Sequence, residues 1–187
     1  MTLYIFTPQS IIDIIKFSNK RVIMMIKSRL FRETDAEEVS KVVAETLRTT
    51  NISDYSDDYI ERTIQTLTPA FFKEKSTQTH FYVICDNSKI IGTGAIGSYW
   101  GSQREFSLFD IFVLPAYQGQ GIGKSIIQTL ESDFFFKHAS RIEIPASKTA
   151  LGFYQKMGYT FKNNIDSLDD EQLYRLEKFP KKIASPW

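Results

Sequence analysis

A glycine-rich turn between an apolar strand and an amphipathic helix is the feature that most constrains the fold of this 187-residue chain. Residues 105–114 form an apolar run with the length and composition of a strand, and the turn at residues 115–120 follows it. From Gly121 to about Lys137, apolar residues recur every three or four positions, which predicts a helix. Glycines let the backbone approach a ligand closely, and the unpaired N–H groups at a helix start attract anions. The segment therefore predicts an anion site suited to a phosphate or pyrophosphate.

The spacing of the glycines fits two common phosphate-binding loops badly. A Walker A loop needs a glycine five residues before the Gly-Lys-Ser that starts at Gly123, and Gln118 occupies that position. A Rossmann fingerprint needs a third glycine where Lys124 stands, and it follows an early strand of the domain. Here the turn comes late, after an antiparallel meander, so neither loop accounts for it.

The remaining pattern predicts an α/β (α+β) domain. It opens with a strand at residues 26–32, a helix capped by Asp35, and a polar, acidic segment from Asn51 that leads into a helix through Leu67. Three strand-like runs then predict an antiparallel meander, and a strand, a helix and two short strands come after the helix that follows the turn. The meander comprises residues 79–85, 89–98 and 105–114, and the later elements residues 141–145, 149–157, 159–161 and 172–179.

Two motifs in this order resemble those of the GNAT N-acetyltransferase superfamily. Gln118, Gly121 and Gly123 form Gln-x-x-Gly-x-Gly, where the family carries Gln/Arg-x-x-Gly-x-Gly/Ala. Residues 147–159 read Ser-x-x-Ala-x-x-Phe-Tyr-x-x-x-Gly-Tyr, which is similar to the family's Asn-x-x-Ala-x-x-Phe-Tyr-x-x-x-Gly-Phe/Tyr. The resemblance extends in outline from about residue 26 to residue 179. It implies a GNAT-like mixed, mostly antiparallel central sheet flanked by helices, with a cofactor entering between the fourth and fifth strands.

The resemblance also implies an activity and a set of site residues. The implied reaction transfers acetyl from acetyl-CoA to a primary amine by direct attack in a ternary complex, without a metal. Backbone N–H groups of the turn would hold the pyrophosphate, and the main chain at two positions of the preceding strand would pair with the pantetheine arm. Ser147 stands where the family usually has asparagine, and its hydroxyl offers one donor instead of two. The implied cofactor-binding residues are Ile111, Val113, Gln118, Gly119, Gln120, Gly121, Ile122, Gly123, Lys124 and Ser147.

The same resemblance assigns Tyr154 as the general acid that protonates the departing thiolate. A phenol of pKa about 10 and a thiol of pKa about 8.5 are close enough for efficient proton transfer. An alkylammonium of pKa about 10.4 must also lose a proton, at a cost of roughly 4 kcal/mol at pH 7.4. Glu105 and Asp110 are the candidate bases, with a water chain as the alternative, and we favour Glu105. They lie five positions apart, so a regular strand directs one of them into the cleft unless a bulge intervenes.

An acidic loop supplies one wall of the expected acceptor site. Asp54, Tyr55, Asp57 and Asp58 lie together before the second helix, where they would attract a cationic amine. The acceptor itself stays open at this stage, as a small-molecule or a peptide amine. A second function also stays open, a non-catalytic acyl-CoA sensor or interaction module that keeps the cradle and lacks an acceptor site.

The amino-acid composition argues against nucleic acid and metal ions as partners of this protein. The formal net charge is +1, which gives no electrostatic footprint for nucleic acid. The only cysteine, Cys85, lies in an apolar run, and His80 and His138 are far apart in sequence, so no metal site is expected. A cytoplasmic protein fits this cysteine usage, and a homodimer is compatible with the sequence.

Residues 1–25 are predicted to be an N-terminal extension outside the acetyltransferase domain, which would comprise residues 26–187. Charged residues interrupt its apolar run, so neither a membrane span nor a secretory signal is predicted. Four isoleucines between Ile11 and Ile15 could form a short amphipathic helix. We favour the alternative that Met24 or Met25 is the biological start.

Overall fold

The computed structural model describes residues 25–181, so the predictions for residues 1–24 lie outside the described residues. A seven-stranded sheet with the order β1-β2-β3-β4-β5-β7-β6 forms its centre. Neighbouring strands are antiparallel except β4 and β5, which are parallel. This confirms the predicted mixed, mostly antiparallel sheet. The strands are β1 (Ile26–Leu30), β2 (Thr79–Asp86), β3 (Lys89–Ser98), β4 (Glu105–Val113), β5 (Arg141–Ala146), β6 (Thr160–Phe161) and β7 (Tyr174–Lys178).

Six α-helices flank the sheet in the described part of the chain. Buried residues recur on one side of the first helix, at Val39, Val42, Val43 and Leu47, and these pack into the core against the sheet. The helices are α1 (Ala36–Thr50), α2 (Asp57–Thr66), α3 (Pro69–Gln78), α4 (Ile122–Glu131), α5 (Phe134–His138) and α6 (Leu151–Lys156).

Two helical predictions differ from the structure. The helix expected from Gly121 to about Lys137 is two helices, because Asp133 starts a new one by accepting a hydrogen bond from the Phe135 N–H at 2.7 Å. Helix α3 has no counterpart among the sequence predictions, although Thr68 and Pro69 form a typical helix start, with the Thr68 hydroxyl accepting from the Phe71 N–H.

A further difference concerns Asp35. It occupies the predicted N-cap position of α1, but its carboxylate forms no cap hydrogen bond. Both oxygens instead bind the guanidinium of Arg29, at 2.6 and 2.8 Å, and one also accepts from the Arg32 N–H. Asp35 therefore fixes the connection between β1 and α1.

The sheet opens at its centre, where β4 and β5 diverge. Their parallel pairing comprises three residue pairs and ends at Ser107 and Glu143, although β4 continues to Val113. Strand β3 stays paired with β4 across this region, with an irregularity between Thr93 and Ala95. The gap between β4 and β5 is therefore a place where an extended ligand can pair with the free edge of β4.

The sheet irregularity is a β-bulge at Asp110 and Ile111. Thr93 pairs with Phe112 and Ala95 with Phe109, so two residues of β4 oppose Gly94 alone. Asp110 has a φ of +50°, an uncommon value for a residue that is not glycine. The bulge therefore redirects the side chains of β4 at the place where the sheet opens.

No helix within residues 25–181 is long and apolar enough to cross a membrane.

Candidate active site

A cleft of about 730 Å³ occupies the gap between β4 and β5. Helices α1 and α2 supply one wall and helix α6 another, while the turn before α4 lies at one end. Its lining is mostly apolar, and it includes the whole end of β4 from Leu108 to Val113. The cleft therefore joins the predicted anion site to the exposed strand edge.

The turn at residues 119–124 presents an array of free backbone donors. Gly119 and Gly121 have φ values of +71° and +83°, a conformation that favours glycine. The Ser125 N–H donates to the Gly121 carbonyl at 3.0 Å. This is the first backbone hydrogen bond donated by a residue after Gln118. Among the described residues, the N–H groups of residues 119–124 have no such partner. Six donors without a partner therefore lie at the positive end of a ten-residue helix, where an anion is favoured.

Gln118 differs from its predicted role. Its N–H donates to the Pro115 carbonyl at 3.1 Å, so this N–H is not available to a pyrophosphate. Its side-chain amide donates instead to the Thr50 hydroxyl at 2.8 Å and to the Val113 carbonyl at 3.0 Å. Gln118 therefore positions the turn against α1 and β4 through its side chain.

The free edge of β4 has the polarity expected for strand addition. The Leu114 N–H donates to the Ile91 carbonyl of β3 at 2.9 Å, and the Thr93 hydroxyl donates to the Asp110 carbonyl at 2.6 Å. Because successive residues of a strand direct their N–H and C=O groups to alternate sides, those of Ile111 and Val113 face the gap. The Val113 carbonyl already accepts from Gln118 and, at 3.2 Å, from the Thr46 hydroxyl. Its N–H is the group that remains for a ligand.

The other predicted cofactor residues divide into two groups. Lys124, Gly123 and Ser147 line the cleft, whereas Gln120 and Ile122 do not, and the Ile122 side chain is buried in the core. Ser147 Oγ accepts a hydrogen bond from the Ala150 N–H at 3.3 Å, which leaves its hydroxyl hydrogen for a ligand. The Gln120 side chain instead donates to the Ala116 carbonyl at 2.8 Å, within the turn itself.

Tyr154 lies on α6 and lines the cleft with its side chain largely buried. No hydrogen-bond partner for its phenol is found among the described residues, yet its oxygen is not among the buried atoms that lack a partner. The oxygen is therefore accessible from the cleft. Burial raises the pKa of this phenol, so it is protonated at neutral pH.

The structure places Glu105 outside the cleft. Glu105 is the first residue of β4, and its carboxylate lies 2.6 Å from the guanidinium of Arg141 at the start of β5. The hydrogen bond from Arg141 lowers the pKa of this carboxyl. Both its position and its weakened basicity argue against the role that the sequence favours.

Asp110, the alternative base, lines the cleft. Its Oδ2 atom is buried and has no hydrogen-bond partner among the described residues. Burial raises the pKa of this carboxyl to about 6, and the charge of Lys75 acts in the opposite direction. Asp110 is thus mostly ionised at pH 7.4 and is a stronger base than an ordinary aspartate.

The acidic loop is only partly directed at the cleft. Tyr55 lines it, and so does Tyr59, which the sequence did not single out; their rings stack with centroids 4.9 Å apart. Asp54 Oδ2 accepts from the Thr149 N–H at 3.1 Å and so joins this loop to the segment after β5. Asp57 and Asp58 are exposed in the first turn of α2 and do not line the cleft.

No cluster of three or more potential metal ligands exists within residues 25–181. His80 contacts Asp133 at 2.8 Å and stacks on Phe135, while His138 contacts the Phe134 carbonyl. These contacts lie away from the cleft residues.

Comparison with known families identifies the class of protein. The family model described as "Acetyltransferase (GNAT) family" matches residues 43–159, more than half of the chain. The match includes the turn before α4, the free edge of β4 and Tyr154. The chain therefore belongs to the GNAT acetyltransferase family.

Individual relatives are distant. A curated protein of Arabidopsis thaliana, GCN5-related N-acetyltransferase 2, chloroplastic, is 32% identical over 53 residues, which cover 28% of this chain and 20% of that protein. The aligned part thus spans a fifth of the length of this relative.

Solved structures share the fold. The PaiA N-acetyltransferase of Thermoplasma acidophilum, in complex with coenzyme A, matches with a TM-score of 0.71 and 20% identity over 83% of this chain and 99% of that one. A GCN5-related N-acetyltransferase of Rhodopseudomonas palustris matches with a TM-score of 0.67 and 18% identity over 86% and 99%.

Proposed function

We propose that this protein is an acetyl-CoA-dependent N-acetyltransferase that transfers acetyl directly to a primary amine. One observation carries the proposal: residues 119–124 have unpartnered N–H groups, and Gly119, Gly121, Gly123 and Lys124 of this turn line one end of a cleft that runs along the free edge of β4. A pyrophosphate fits the N–H array, and a pantetheine arm fits the strand edge. A relative in fold was solved with coenzyme A.

The turn leaves room for a bound group at two of its glycines. Built Cβ atoms at Gly119 and Gly121 would meet nothing within 4 Å, so the turn is open on the side of these residues. Bound acetyl-CoA supplies the acyl group as an activated thioester. Lys124 adds a positive charge beside the N–H array, and the Val113 N–H is the donor for the pantetheine arm or the thioester carbonyl.

Asp110 and Tyr154 divide the proton transfers between them. Asp110 accepts one proton from the acceptor ammonium and releases it to solvent, so the nitrogen lone pair can form the new N–C bond as the C–S bond breaks. Tyr154 donates its phenolic proton to the departing sulfur and regains a proton from the nitrogen. The products are an acetamide, the thiol of coenzyme A and one proton.

Thiol release in the presence of a panel of primary amines tests this function. We expect amine-dependent release, measured with a chromogenic thiol reagent, against the low background of a chain whose only cysteine is buried. Heat of binding with acetyl-CoA provides a separate readout. Binding without thiol release for any amine would favour the acyl-CoA sensor, and the absence of both would overturn the proposal.

Tyr154→Phe tests the general acid, with Tyr159→Phe as the matched control. Both tyrosines are buried on the same segment, but Tyr159 does not line the cleft. Tyr154→Phe should lower kcat by about 100-fold and leave the Kd for acetyl-CoA unchanged, as expected for loss of a positioned acid. Equal losses in the two variants would contradict the assignment.

A further inference from the structure

The charges inside the cleft are separated by sign. Within residues 25–181, two charged side chains line the cleft, Asp110 and Lys124. Lys124 lies in the first turn of α4 beside the free N–H groups, at the end that suits an anion. Asp110 lies in the bulge of β4, three residues before Val113. The part of the cleft beyond the N–H array is therefore lined by a carboxylate and by no cationic side chain, although the charge of Lys75 on α3 acts on Asp110 from outside this lining.

Asp110 is matched to a ligand that carries a positive charge. Its Oδ2 atom is buried without a partner, and the Thr93 hydroxyl donates to the Asp110 carbonyl and not to its carboxylate. An unpaired buried carboxylate is costly, and a hydrogen-bonding cation offsets that cost. No ion pair with Asp110 exists among the described residues. Because Oδ2 is sealed from the cleft, an incoming ammonium would pair with Oδ1, which is not among the buried atoms and has no hydrogen-bond partner among the described residues.

The cleft that contains Asp110 has apolar walls, which suit a hydrocarbon. The stacked Tyr55 and Tyr59 rings line the cleft, and so do Phe109, Ile60 and Leu173. Such surfaces bind an alkyl chain or an aromatic ring by apolar contact, and their ring faces also attract a cation.

The two segments that contribute Tyr55, Tyr59 and Leu173 to the cleft are acidic in sequence, although Arg48 binds Glu61, and Arg175 binds Asp169 and Glu171. Residues 51–61 and 165–173 each contain four Asp or Glu residues and no Lys, Arg or His. Besides burial and the neighbouring Tyr59, Asp54 and Asp169 raise the pKa of Tyr55, so one carboxylate from each segment acts on the ring pair. An acceptor with its own carboxylate would meet no cationic side chain among the residues that line the cleft beyond Lys124.

We infer that the acceptor is a small primary alkylamine or arylalkylamine without a carboxylate, whose ammonium pairs with Asp110 and whose hydrocarbon part contacts Tyr55 and Tyr59. The inference rests on the proposed acetyltransferase function and narrows its substrate. α-Amino acids are excluded as good acceptors, because their carboxylate would lie beside the carboxylate of Asp110.

Matched amines with and without a carboxylate test the inference. Phenethylamine is compared with phenylalanine, and cadaverine with lysine, by the rate of thiol release from acetyl-CoA. We expect kcat/KM to be at least about 100-fold higher for the compound without the carboxylate in each pair. The reason is that a ligand carboxylate about 4 Å from the Asp110 carboxylate would cost several kcal/mol in a cleft. Asp110→Asn should reduce this ratio to below about 10-fold while lowering the rate for both amines.

A second variant examines the aromatic wall. Tyr59 is 47% exposed, so Tyr59→Leu is compatible with folding, and it should raise KM for phenethylamine about 10-fold with the Kd for acetyl-CoA unchanged. Comparable kcat/KM values for phenylalanine and phenethylamine, or release with peptide amines alone, would overturn the inference and leave the acetyltransferase function intact. If no amine of any kind supported thiol release, the proposed function itself would be overturned.

Discussion

The side-chain amide of Gln118 donates a hydrogen bond to the hydroxyl of Thr50 at 2.8 Å, which joins the turn before α4 to the last residue of α1. The same amide reaches the Val113 carbonyl. One side chain thus holds the N–H array in register with the free edge of β4. The two halves of the cofactor site are separate in sequence, and this contact sets their relative position.

Gln118→Ala should weaken acetyl-CoA binding about 10-fold, because the turn loses two hydrogen bonds of about 1 kcal/mol each. Once acetyl-CoA is bound, kcat should change little, since Gln118 contacts no reacting group. Gln128→Ala is the matched control, on the exposed side of α4 without a side-chain hydrogen bond. Calorimetric titration measures both variants. An unchanged Kd for Gln118→Ala would show that the turn holds its shape without this contact.

Gly123→Ala should also weaken acetyl-CoA binding, for a steric reason. A Cβ at Gly123 would lie 3.2 Å from the Phe153 ring, which must move within the cleft wall. We expect a rise in Kd of about 10-fold. Gly152→Ala is the control on α6, where an added Cβ meets nothing within 4 Å. That change should raise the free energy of unfolding by about 0.5 kcal/mol and leave binding intact. Similar Kd values for the two variants would refute the steric argument.

The fold and the anion site are predictable from the sequence because their signals are local. The glycines of the turn and the period of the helix after it lie within about 25 adjacent residues, and they identify the N–H array directly. The sequence pattern does not indicate that this helix ends before Asp133, because the cap role of Asp133 depends on its hydrogen bond from the Phe135 N–H, which the structure shows. Local pattern reading therefore locates elements better than it bounds them.

The identity of the base depends on contacts distant in sequence. Glu105 is withdrawn from the cleft by Arg141, 36 positions later on a parallel neighbour. Asp110 enters it because the register of β4 shifts opposite Gly94 of β3. Neither pairing has a signature in residues 105–110. Tyr55 immediately precedes Ser56, the N-cap of α2, and Tyr59 lies in the first turn of that helix, so the chain entry at Ser56 brings the two rings together.

The charge of Lys75 should set the pH at which turnover rises, because it lowers the pKa of Asp110. Its ammonium lies 4.0 Å from the centre of the Phe109 ring, and its charge lowers the pKa of the Asp110 carboxyl, which burial raises to about 6. Because the base must be ionised, kcat/KM should rise as the pH passes through about 6. Lys75→Met keeps the stem on Phe109 and removes the charge, so this rise should move upward by about half a pH unit.

Lys73→Met is the control for the Lys75 variant, since Lys73 is an exposed lysine on the same helix. Both variants are compared by kcat/KM between pH 5 and pH 8 with a single amine. A profile of Lys75→Met that coincides with that of Lys73→Met would contradict the coupling to Asp110.

Asp110→Asn should raise the free energy of unfolding above pH 6, although it lowers the catalytic activity. The pKa of Asp110 is about 6 in the folded protein and 3.8 without the fold, so folding favours the protonated carboxyl. The folded state binds more protons between these values, and stability therefore falls as the pH rises from about 4 to about 6. Above pH 6 the full cost of the buried charge remains, on the order of 3 kcal/mol. Urea unfolding at pH 4 and pH 8 measures this cost. The free energy of unfolding of the variant should be higher than that of the wild type at pH 8 and equal to it at pH 4. A variant that is less stable at pH 8 would show that the carboxylate has a stabilising partner, and Asp110 would then be a structural group and not the base.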